Sequence, residues 1–154
     1  MFATPKSLFR VLAIAEAITW TLLITGLILR ATIGLDVAVS IGGGIHGFVF
    51  LAYGATAVLL TVNQRWSVGT AILTIGSAIV PYVTIPVELW LARSGRLAGE
   101  WRTEASEHPR DAGWVDRTMR WFLNHPYILV LLIAAAVVLL YVVLITAGPP
   151  GGGE

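Results

Sequence analysis

The chain has 154 residues, of which 56% are hydrophobic and 12% charged, with a net charge of +1 and no cysteine. A mean hydropathy of +0.80 lies beyond what a soluble globular domain tolerates, so an all-α polytopic membrane protein of the cell membrane is expected. A near-neutral balance argues against nucleic acid as a partner, the lack of thiols rules out disulfides and iron–sulfur clusters, and three scattered histidines make a poor zinc set; no metal or cofactor is expected.

The first apolar stretch, roughly Leu8 to Leu29, is long enough to cross a bilayer core of about 30 Å. It follows Lys6 and Arg10 as a signal peptide would, but it has no small-x-small cleavage site and continues into Arg30 and a second span, so it reads as a retained helix. Near its middle stands Glu16. An ionisable group at that depth costs roughly 2.5 to 3.5 kcal/mol and marks a site by default. Trp20, at i+4, shares its helix face, and Thr19 borders that face.

The second span, Val37 to Val62, carries Gly42, Gly43, Gly44, His46, Gly47 and Gly54. Gly43 and Gly47 form a small-x-x-x-small pair and Gly54 lies one heptad further, a strip for close helix packing within the bundle or in a homo-oligomer. His46 needs a hydrogen-bond partner in a medium that offers few. Antiparallel spans put it within reach of Glu16. Two readings stand for that pair: a proton-transfer or ligand site, or a buried contact that fixes helix register.

A third span is expected over Trp66 to Ala92, kinked at Pro81 and Pro86, with Ser77 and Tyr82 as the residues whose carbonyls the prolines free. The bland outcome is a kink; the alternative is a polar cavity lined by those carbonyls. Glu88, late in this span, is expected beside His46, Arg30 or Arg93. A polar loop from Arg93 to His125 follows, in which Trp114, Val115, Thr118, Met119, Phe122 and Leu123 recur at helical spacing opposite Asp116, Arg117 and Arg120, the pattern of an interfacial helix. Pro126 to Thr146 makes a fourth span, and Gly148 to Glu154 a disordered tail. The domains expected are a three-helix membrane unit over residues 1–97, the loop over 98–125, the last helix over 126–147 and the tail over 148–154. Four crossings would place both termini on one side with Lys6, Arg10 and Arg65, and seven arginines on the other, favouring a cytoplasmic loop 93–125 and both termini outside.

From about Ser7 to Leu97 the chain reads F-R-x-x-A-x-x-E-A-x-T-W, H-G-F-x-F-x-x-Y, R-W-S and P-x-x-x-x-P-x-E-x-W-L. These motifs resemble a YdzA-like, three-helix bacterial membrane domain of unknown function, here with a C-terminal extension. By position the resemblance singles out Glu16, Trp20, His46, Gly47, Trp66, Pro81 and Glu88, and it implies no activity, substrate or cofactor. After Pro81 this chain has Tyr82, Val83, Thr84, Ile85 and Pro86 where the family pattern has a glycine. No nucleophile elbow, P-loop or metalloprotease helix is present, so no enzyme is expected. The expected function is a structural, interaction or accessory subunit in the lipid bilayer, with a membrane protein or a second copy as partner; the alternative is a small proton-coupled transporter or channel using Glu16 and His46.

Overall fold

The computed structural model describes residues 4–147, and within them the chain is helical with no strand. The expected disordered tail, residues 148–154, lies outside the described residues. Helix α1 (Pro5–Ile33) starts at a capping box, in which the Thr4 hydroxyl accepts from the Ser7 amide at 3.2 Å, with Pro5 at the first helical position. It ends at Gly34, whose φ of 69° closes the turn into α2 (Asp36–Asn63). Arg30 and Asp36 pair at 3.0 Å across that turn. Both helices are long and apolar enough to cross a membrane.

The two helices touch most closely where side chains vanish. A Cβ on Gly26 would stand 2.7 Å from the Ala38 carbonyl oxygen, and one on Gly42 3.0 Å from that of Leu22. The strip expected to pack, Gly43, Gly47 and Gly54, does not make this contact: Gly43 meets only Leu23 at 3.9 Å, and Gly47 and Gly54 face open space. The helices cross at a register that puts Gly42, one residue earlier, against the opposing backbone.

The expected third span is not one helix. Helix α3 (Val68–Gly76) runs into a 3-10 turn over Ser77–Ile79, the chain breaks through Pro81 and Tyr82, and α4 (Thr84–Arg93) follows. Twelve residues from Val68 to Ile79 reach about 18 Å, little more than half the hydrocarbon thickness. Instead of continuing, α4 turns back along α1: Thr84 donates to the Ala13 carbonyl at 3.1 Å and Glu88 meets Arg10 at 2.9 Å. The Arg96 carbonyl then accepts from the Trp66 indole at 2.9 Å, so residues 66 and 96 lie side by side. Residues 68–93 thus form a re-entrant hairpin with both ends at the same end of the α1–α2 pair. The prolines explain a break rather than a kink. Pro81 sits in the gap, where Tyr82 takes a left-handed φ of 68°, and Pro86 falls in the first turn of α4, where its missing N–H costs nothing.

Two expectations change with this hairpin. Glu88 lies beside Arg10, not beside Arg30, Arg93 or His46, because the chain has returned to where it entered. The loop after Arg93 lies at the same end as the start of α1, not at the opposite end. There it is tied down around Arg102, which donates to the Val62 carbonyl at 2.5 Å, the Asn63 carbonyl at 2.8 Å, Asp111 at 2.7 Å and Asp116 at 3.0 Å. The Asn63 side chain pairs with the backbone of Glu100 and Arg102. Arg65 reaches Asp111 at 3.0 Å, and Arg120 donates to the Asp111 carbonyl at 2.7 Å.

Helix α5 (Trp114–Asn124) is amphipathic as expected, with Asp116, Met119 and Arg120 turned towards the protein and the tryptophans turned outward. Asp116 and Arg120 are buried in the ion cluster, while Trp114 is 77% and Trp121 47% exposed. A 95° bend at His125 leads into α6 (Pro126–Ala147), a candidate third span that packs along α2. Among the described residues Phe9, Ala13, Tyr53, Ala57, Leu60 and Leu91 form a fully buried apolar core, with polar side chains buried beside it and large apolar ones facing out. Glu16, Thr19, His46, Thr74, Ser77 and Thr84 are buried, whereas Ile14, Ile18, Ile72 and Ile79 face outward, the arrangement a lipid solvent demands.

Candidate functional site

Where the hairpin tip meets α1 and α2, four elements contribute polar groups at membrane depth. Glu16 is 0% exposed and its Oε2 lies 3.8 Å from His46 Nδ1, beyond hydrogen-bond range. Between them sits Thr19, whose Oγ1 is 3.1 Å from His46 Nδ1 and 3.1 Å from the Glu16 backbone carbonyl. A threonine has one hydroxyl proton. With that proton on the carbonyl, Nδ1–H of the imidazole donates to Oγ1, and Nε2 is the free acceptor. Trp20 completes the pocket, its ring 4.5 Å from the His46 ring.

Helix α1 can present these groups because Glu16, Thr19 and Trp20 fall on one face at i, i+3 and i+4. Neither carboxyl oxygen of Glu16 has a hydrogen-bond partner. Trp20, Tyr53 and Tyr82 nearby are committed to other partners. The Trp20 indole donates to the Ala78 carbonyl at 3.2 Å, one of the groups that the hairpin break leaves without a helical partner. Tyr53 lies 2.9 Å from the Ser77 hydroxyl and 3.2 Å from the Thr74 carbonyl. Tyr82 bridges to Thr21 at 3.3 Å. Side chains from α1 and α2 therefore satisfy the backbone of the broken segment, the condition under which irregular backbone survives at membrane depth.

Of the residues singled out from sequence, Glu16, Trp20 and His46 converge, Glu88 stands apart with Arg10, and Trp66 and Pro81 shape the two ends of the hairpin. Thr84, fully buried, and Arg10, which is half-exposed, hold α4 against α1, and their signal was weak: an arginine near an apparent helix start and a threonine between two prolines stand out only once the hairpin folds back. The loop cluster joins Arg65, from the turn after α2, to Arg102, Asp111 and Asp116 of the polar segment, a pairing that charge counting does not resolve. The Asp111 carboxyl is held well below the usual carboxylate range by hydrogen bonds from the Ser106 hydroxyl and amide, and then by Arg65 and Arg102.

A protein of Streptomyces coelicolor named as a membrane protein, SCO5905, is 36% identical over 91 residues, which make up 58% of this chain and 11% of that relative's length. No solved structure matches the chain. Residues 6–93, which span α1, α2 and the re-entrant hairpin, match the family described as a domain of unknown function, DUF3817, and the chain belongs to that family of membrane domains.

Proposed function

We propose that this protein is a non-enzymatic membrane module, an accessory or interaction subunit whose working unit is α1, α2 and the hairpin. The observation that carries the reading is the relative: a stretch similar to this unit forms 11% of a far longer chain named as a membrane protein, so there it is one part of a larger membrane chain. Extracted from native membranes in polymer-bounded lipid discs, the protein is expected to run as a complex well above its own 16.5 kDa and to crosslink to a defined membrane partner or a second copy. A strict monomer with no crosslinked partner would sink the reading.

A second reading rests on a separate observation, the two unpartnered carboxyl oxygens of Glu16 beside His46. A buried acid serving only to fix register would normally be hydrogen-bonded, whereas one that takes up and releases a proton need not be in every state. On this reading the module is a small proton-coupled transporter or channel. Liposomes holding the protein and a pH-sensitive dye should dissipate a proton gradient, and Glu16→Gln should abolish the flux; identical flux in the folded variant rules it out.

Orientation follows from the hairpin. Nine of the ten lysines and arginines lie at the end holding Lys6, the 63–67 turn and the 93–125 loop, with Arg30 alone at the other. The excess of positive charge supports placing that end in the cytoplasm, with the start of α1 inside and α6 crossing outward.

A further inference from the structure

At the mouth of the hairpin, Gln64, Arg65, Trp66, Ser67, Thr70, Gly95 and Arg96 line a cavity of about 320 Å³. Its chemistry is one-sided. Gln64 Nε2 and Arg65 Nε are buried donors with no acceptor, and Arg96 lines the same cavity while its guanidinium lies 4.5 Å over the Trp90 ring. Among the described residues no carboxylate lines it; Asp111, the nearest acid to Arg65, engages the Nη2 of that guanidinium instead. The first turn of α3 also opens here; Ser67 caps the Thr70 amide at 3.3 Å, which leaves those of Val68 and Gly69 without an intrahelical acceptor. Buried donors without acceptors mark a place where an anion is missing.

The surface next to the cavity says which anion. Val68, Ile72, Ile75 and Ile79 form one stripe down α3, exposed by 75%, 67%, 38% and 69%. That stripe begins at the cavity rim and descends into the membrane, while Trp66, with its indole bonded to the Arg96 carbonyl, stands at the level where interfacial aromatics sit. We propose that the hairpin mouth binds an anionic phospholipid, its phosphate held by Arg65, Arg96 and Gln64 and its acyl chains lying along the outer stripe of α3. The cation pair and the apolar stripe are adjacent, as a headgroup and its tails are.

Native mass spectrometry of the full chain, released from micelles containing phosphatidylglycerol or phosphatidylcholine, tests this. The chain should retain phosphatidylglycerol and not phosphatidylcholine. Arg96→Gln and Gln64→Glu should each lower retention about tenfold, the loss expected for a charge-assisted hydrogen bond, while Lys6→Gln, which removes an exposed charge at the same end, should leave it unchanged. Helicity by circular dichroism establishes that each variant is folded, and either variant alone suffices. Equal retention in the folded variants overturns the proposal, and so does an equal loss in Lys6→Gln, which would mean diffuse charge attraction. Saturation of the same site by inorganic phosphate that phosphatidylglycerol does not displace would reassign it to a free anion and overturn the lipid.

Discussion

Replacing Glu16 by methionine separates a structural acid from a functional one by the sign of the stability change. In the folded protein both carboxyl oxygens are buried without partners, and His46 Nδ1 at 3.8 Å is too far to compensate. An unsatisfied buried polar group costs about 1–3 kcal/mol, and removing it by a side chain of similar volume costs under about 1.5 kcal/mol in repacking. His46 keeps its bond to Thr19 in the variant. The net expectation is that Glu16→Met stabilises the protein by about 1–2 kcal/mol. Were Glu16 half of a register-fixing ion pair, removing it would strand a buried partner and destabilise by about 3–5 kcal/mol. Reversible unfolding of the full chain in mixed micelles, titrated with dodecyl sulfate and followed by circular dichroism, resolves the two. A loss of 1 kcal/mol or more would refute the reasoning.

Gly26→Ala should destabilise by about 1–3 kcal/mol, since its new Cβ would stand 2.7 Å from a backbone oxygen, whereas Gly47→Ala, with nothing within 4 Å, should be neutral within about 0.5 kcal/mol; the same titration compares them. Arg102→Ala removes the ties to Val62, Asn63, Asp111 and Asp116 at once, and limited proteolysis should then cut the 93–113 segment while α1 and α2 stay intact; an unchanged digestion pattern would show that the loop is held elsewhere. The same loop should respond to acid. Asp111 is depressed in the folded state, so its contribution is fully present above the unfolded carboxylate value of about 4 and is lost as pH falls from there towards the folded pKa. Proteolytic protection of the loop should therefore fall between pH 4 and pH 2.5 with an acid-active protease, and Asp111→Asn should be poorly protected at both. Because the chain has no cysteine, single substitutions Glu104→Cys and Thr32→Cys can be labelled without background, and an impermeant maleimide should modify Thr32→Cys alone in intact cells; labelling of Glu104→Cys would reverse the orientation.

What the sequence made legible was composition, helix boundaries and one helix face. Glu16, Thr19 and Trp20 share a face by spacing alone, and the need of His46 for a partner follows from the medium, so their meeting could be anticipated. The hairpin could not. An apolar stretch from Trp66 to Ala92 has the length of a crossing, and hydropathy reads length, not direction. What turns the chain back is the four-residue break from Val80 to Val83, and the Thr74 and Ala78 carbonyls just before it are answered by Tyr53 and Trp20, which lie far away in sequence. The placement of Glu88 and the side of the loop both follow from that one unpredicted reversal. The misplaced glycine strip has a smaller cause: spacing shows which glycines could pack, while the crossing register, set by Gly26 and Gly42 against opposing backbone, selects which do.

The reversal also accounts for the hydroxyl-rich character of this membrane core. A continuous third helix would satisfy its own backbone and could be sheathed in leucine. A hairpin that stops at mid-membrane exposes peptide groups there, and each must find a donor or acceptor from a neighbour. Trp20 answers the Ala78 carbonyl and Tyr53 that of Thr74, while the hydroxyls of Ser77, Tyr82 and Thr84 tie the hairpin to α1 and α2. Their demand is local to the tip, and Glu16 lies within one helical turn of it. The acid is therefore embedded where hydrogen-bonding capacity is densest and still lacks a partner. Supporting the hairpin does not require Glu16, because the tip's contacts close without it. Whether the fold itself needs the acid is what the sign of the Glu16→Met change decides, and that sign carries more weight than any other single measurement.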